Sequence, residues 1–128
     1  MQANLFAAWC LILAGLLSGS VLGLFFHEEG WQGGYGSWRR RMMRLGHIAF
    51  FGTGLLNLAF GLTLPAIGLK SAPVPSACLI AGAVTMPLVC FLSAWRKGLR
   101  HLFAVPVAGL ILGAAGLLLE GFLLGKGF

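Results

Sequence analysis

Carboxylates are almost missing from this chain. Glu28, Glu29 and Glu120 are its three acids, and charged residues of both signs make up 9% of its 128 positions. A water-soluble domain carries roughly a quarter charged residues, so there is too little polar surface here to cover a soluble particle. Cysteine is equally sparse. Cys10, Cys78 and Cys90 are odd in number, lie inside apolar stretches and show no CxxC or Cys/His spacing. They read as small buried hydrophobes and outline neither a disulfide framework nor a metal site. No Ser–His–acid set, phosphate-binding glycine loop or metalloprotease signature occurs, and HEEG at 27–30 is not HExxH. These absences point away from an enzyme.

What the chain has is apolar length. The AVILMFWYC set supplies 59% of residues, gathered in stretches from about Leu5 to Phe26, Leu45 to Leu64, Ser76 to Trp95 and Leu102 to Leu124. At a rise of about 1.5 Å per residue, each reaches across the ~30 Å hydrocarbon layer of a bilayer. The expected fold class is therefore all-α integral membrane: one domain, residues 1–128, with four transmembrane helices in an up-and-down bundle. The first stretch lacks a basic n-region and exceeds the ~7–15-residue apolar core of a signal peptide, so it is read as a retained helix. Pro65 is expected to stop the second helix. Pro87, inside the third, should free the carbonyl of Ala83, with Thr85 as the nearby compensating donor.

A formal charge of +6 raises the question of nucleic acid, but the position of the charge answers it. Arg39, Arg40, Arg41, Arg44, Arg96, Lys97 and Arg100 all flank apolar stretches, where they contact lipid head groups and set topology. Lys plus Arg number seven on the loops 27–44 and 96–101, against Lys70 and Lys126 on the opposite side. Cationic loops stay in the cytoplasm, so both termini are expected on the non-cytoplasmic side of a bacterial inner membrane. The lipid bilayer is the expected partner, and nucleic acid is not. Trp38–Arg39–Arg40 and Trp95–Arg96–Lys97 echo each other, which convergence at a basic interface explains.

Small residues mark the faces on which these helices are expected to pack, because close approach matters more in lipid than apolarity does. The first has Gly15, Gly19 and Gly23 at four-residue intervals, with Ala8 near the same face; the second has Gly54 and Gly61; the fourth has Gly109, Gly113 and Gly116. Such ridges serve either a bundle or a contact with other membrane subunits or a second copy.

Three histidines raise haem b or a metal as candidates, since imidazole is a frequent ligand of both. His47 pairs best with His101 or His27, with Gly46 and Gly54 leaving room for a flat macrocycle. Glu28 and Glu29 are expected to neutralise the basic loop. Asn57 is expected to make an interhelical hydrogen bond, and Glu120 is the one carboxylate inside an apolar stretch, hence a candidate proton or cation site facing Asn57 or the loop before Pro65. Three readings follow. The favoured one is a non-catalytic accessory or structural subunit of a larger membrane complex, a respiratory one for example. The alternatives are a haem-b or metal-binding electron-transfer subunit and a small oligomeric transporter or channel using Asn57 and Glu120.

Overall fold

The computed structural model describes residues 2–123. Lys126 and the last residue of the expected fourth helix, Leu124, lie outside them. Four long helices follow one another: α1 (Gln2–Leu24), α2 (Trp38–Ala66), α3 (Pro73–Trp95) and α4 (Ala104–Leu123). Short 3-10 helices, Trp31–Gly33 and Lys97–Phe103, precede α2 and α4. By length and composition, four helices can cross a membrane, the fourth counted from Lys97. At 23 residues, α1 and α3 each span about 35 Å.

The boundaries differ from expectation where polar residues are good helix formers. α2 starts seven residues before Leu45, because Arg and Met favour helix and Ser37 caps the run, its Oγ accepting from the Arg40 amide at 3.2 Å. Pro65 does not stop α2, which ends one residue later at Ala66. What stops it is a left-handed turn at Gly68 (φ +70°). There the Leu69 amide reaches back to the Leu64 carbonyl at 2.8 Å and the Gly68 amide to Pro65 at 3.0 Å. This pairing satisfies helix-end carbonyls and brings Leu64 and Leu69 together in one apolar cluster with Phe60, Ala72 and Leu79. A Cβ at Gly68 would be strained by about 1 kcal/mol. Gly68→Ala should therefore lower the thermal midpoint of the protein in detergent micelles, followed by circular dichroism; an unchanged midpoint would speak against the turn.

Neighbouring helices run antiparallel. Along α1 and α2, Asn4 lies by Asn57, Gly15 by Phe51 and Gly19 by His47. Gly46 faces Cys90 and Phe91 across α2 and α3, and Gly82 faces Leu110 across α3 and α4. Close backbone approaches join α1 to α2, α2 to α3 and α3 to α4, with a narrower one from α1 to α3; none joins α4 to α1 or α2. The described helices thus form a row with α4 at its edge, and they do not close around one axis. The first turns of α2, holding Arg39–Arg44, and the α3–α4 connection, holding Arg96–Arg100, share one end of that row, and Lys70 lies at the other.

Close contact explains where glycine stands. A side chain at Gly54 would sit 3.3 Å from the Ala8 carbonyl, and one at Gly109 would sit 3.1 Å from that of Cys78. Gly15, Gly19, Gly113 and Gly116 face Phe51, His47, Leu79 and Pro75, and Gly61 is buried. Gly23 differs from its expected role: it is exposed, with open space where a Cβ would be.

Candidate functional site

The buried face of α1 runs Asn4, Ala8, Leu11, Gly15, a helical repeat that carries one polar residue to the interior. Asn4 and Asn57 are both fully buried, and the Asn4 amide donates to Asn57 Oδ1 at 2.9 Å. Ser76 Oγ donates to Asn4 Oδ1, so the pair is tied to the first turn of α3. The Asn57 amide in turn donates to the carbonyls of Thr53 at 3.0 Å and Leu79 at 3.3 Å. One network therefore joins α1, α2 and α3, and Asn57 has the interhelical role expected of it.

One turn along α2, Thr53 Oγ1 donates to Ala49 at 2.7 Å and reaches the Ala83 carbonyl at 3.4 Å. Ala83 is the carbonyl that Pro87 leaves without its helical partner. The compensating donor thus comes from the neighbouring helix. Thr85, the expected donor, bonds back to Ala81 at 2.7 Å instead.

His47 stands between α1 and α2. Its Nδ1 lies 3.2 Å from Ser18 Oγ, its ring fills the space left by Gly19, and Phe51 meets it edge-on at 5.3 Å. The expected partners are elsewhere. His101 is exposed in the 3-10 helix Lys97–Phe103, which packs on α3 and α4, and His27 is exposed beyond the end of α1, 4.0 Å from Glu28. The structure brings neither to His47. The space at Gly46 is taken by Phe91 and that at Gly54 by α1, so neither leaves room for a macrocycle. Among the described residues, no group of three or more His, Cys, Asp or Glu side chains is placed to hold a metal ion.

Glu120 is half-buried on α4 and makes no hydrogen bond or ion pair with another described residue. No close backbone approach joins α4 to α2, and the hydrogen bonds of Asn57 go to α1, α2 and α3, so Glu120 and Asn57 are not brought together.

The basic end holds the second organised cluster. Arg40 is only 4% exposed, although it was expected at the lipid head groups. Its Nη1 donates to the carbonyls of Glu28 at 3.2 Å and Glu29 at 3.4 Å, while Trp31 and Tyr35 lie 5.7 and 5.5 Å from its Cζ. Carbonyl oxygens and ring faces, not the two carboxylates, thus compensate this buried cation. Arg44 stacks on Tyr35 at 3.9 Å and donates to its carbonyl at 3.3 Å; its Nη1 is enclosed without a partner among the described residues. Trp38 Nε1 donates to the Ser93 carbonyl at 2.7 Å, closing the loop onto α3. Arg39, Arg41, Arg96, Lys97 and Arg100 remain exposed.

Arg40 should therefore hold residues 25–37 in place. Arg40→Met removes bonds worth about 2 kcal/mol, so proteinase cleavage within the loop should rise about 30-fold, with Arg41→Met unchanged. Equal cleavage in the two variants would remove this role.

Compared with protein families, curated proteins and solved structures, the chain matches none of them.

Proposed function

We propose that the protein is a non-catalytic accessory or structural subunit of a larger membrane complex, a respiratory assembly being one example. It lies in a bacterial inner membrane with both termini on the non-cytoplasmic side. The observation carrying this reading is where the polar side chains of α1, α2 and α3 are spent. Asn4, Asn57, Ser76, Thr53 and the Ser18–His47 pair all bond from helix to helix. Buried polar groups used this way hold a shape, whereas a transport path needs them facing water.

Two further features support it. The glycine contacts give the close backbone approach by which helices associate in lipid. The outer faces of α1 and α4 are apolar and unpartnered, with Phe6, Leu13, Leu16, Ile111, Leu119 and Phe122 more than half exposed. The seven-to-two bias of Lys and Arg supports the orientation.

The test is native electrophoresis of the tagged full chain, extracted from its own membranes in mild detergent. A subunit migrates with the same membrane partners in fixed stoichiometry, and deleting the chain impairs assembly of that complex. A chain that runs alone, with every membrane complex intact in its absence, would overturn the proposal.

A further inference from the structure

A groove lies between α2 and α4 on one side of α3, because the backbones of these two helices do not approach each other closely. Near the basic end it opens as a hollow of about 360 Å³ lined by Leu45, Ile48 and Gly52 of α2, Met86 of α3 and Phe103 of the 3-10 helix before α4. Farther along, a separate hollow of about 210 Å³ lies between Leu56, Thr63, Leu79 and Leu118. The walls of both are almost wholly apolar.

Two basic stripes lead to the mouth of the groove. On α2, Arg41, Leu45, Ile48 and Gly52 recur at helical spacing, so Arg41 lies one turn outside the lining residues on the same face. In the 3-10 helix Lys97–Phe103, side chains three apart eclipse one another, which aligns Lys97 and Arg100 with the lining residue Phe103. Arg41, Lys97 and Arg100 are all exposed. Gly52 adds an independent observation. It is exposed in mid-helix, and a Cβ there would meet nothing within 4 Å. Unlike Gly54 beside it, this glycine serves no internal contact; it only widens the groove.

The geometry points to a binding site for an anionic phospholipid, with an acyl chain in the α2–α4 groove and its phosphate on Arg41 and Arg100. Charge complementarity selects this occupant. Cationic side chains leading from both sides to the lining residues suit a phosphate carrying no compensating cation, and the slot suits a hydrocarbon chain. A partner helix, a cylinder about 10 Å across and 30 Å long, would need several times the space. The inference rests on membrane insertion but not on the accessory-subunit role.

The full chain, delipidated in detergent, is titrated with phosphatidylglycerol or phosphatidylcholine of identical chains and read by native mass spectrometry. Phosphatidylglycerol should be retained preferentially. Arg41→Gln and Arg100→Gln should each weaken it about fivefold, and together about 25-fold. Arg39→Gln, on another face of α2, should leave it unchanged. Gly52→Phe, at a position where a Cβ meets nothing within 4 Å, should obstruct the groove and lower retention of both lipids. Equal retention of the two lipids would overturn the site, as would an unaffected double variant or a loss in Arg39→Gln matching that of the pair. A photocrosslinker at Ile48 that captures a polypeptide in native membranes would overturn it too. Resistance to carbonate extraction reports insertion separately, so a failed lipid site and a failed membrane reading are distinguishable.

Discussion

Asn57→Leu should destabilise the protein by about 2–3 kcal/mol. The side chains are similar in size, so the cost is polar. An interhelical hydrogen bond in a membrane is worth about 1 kcal/mol, and a buried group left unpaired costs about 1–3 kcal/mol. The Asn4 amide would lose its 2.9 Å acceptor and keep only a 3.4 Å approach to the Ser76 carbonyl. Asn4→Leu should cost a comparable amount for the reciprocal reason. The double variant should cost little more than either single change, because it removes both halves of the pair. Thermal unfolding of all four proteins in one detergent measures the coupling. Additive losses would mean that the two amides act independently and that the network does not join α1 to α2.

Gly109→Leu should release α4 while leaving the other three helices packed. The backbone of α4 closely approaches that of α3 and of no other long helix. At Gly109 a Cβ would already sit 3.1 Å from the Cys78 carbonyl and 3.4 Å from Gly82. The neighbours there are backbone and cannot swing aside, so a larger side chain must push the helices apart, at a cost of about 3 kcal/mol. Two native cysteines report the result. Cys78 is half-buried at the α3–α4 contact, whereas Cys90 is fully buried with its Cβ toward Gly46 of α2. A lipid-soluble maleimide should therefore modify Cys78 faster in the variant and Cys90 at the parent rate. Faster modification of both would show that the whole row loosens together.

Hydropathy made the four spans legible, because about 20 apolar residues in a row have few other uses. The starts were harder to read. Trp38–Arg44 looks like a loop by charge, yet arginine is a good helix former, and Ser37 three residues before the Arg40 amide was the available cap signal. Asn57 was legible as an interhelical donor, but its partner was not. Asn4 lies just before the apolar run, and carrying the Ala8–Gly15 face back one turn would have found it. Ser76 and Thr53 escaped for another reason. Each acts across a helix boundary, on Asn4 and on the Ala83 carbonyl, and spacing within one helix cannot reveal a contact with its neighbour. The burial of Arg40 was hidden in the same way, since Trp31, Tyr35 and two loop carbonyls enclose it only once the loop has folded back.

Membrane insertion is the claim on which the proposed function and the lipid site both depend, and the basic end of the row is expected in the cytoplasm. Reporter fusions decide both points. Alkaline phosphatase, active only outside the cytoplasm, and green fluorescent protein, which does not fluoresce when exported unfolded, would be joined in turn at residue 34, at residue 70 and after residue 128. Phosphatase activity at 70 and 128, with fluorescence at 34, is the predicted pattern. The reverse pattern would contradict the orientation, and fluorescence at all three positions would contradict membrane insertion itself.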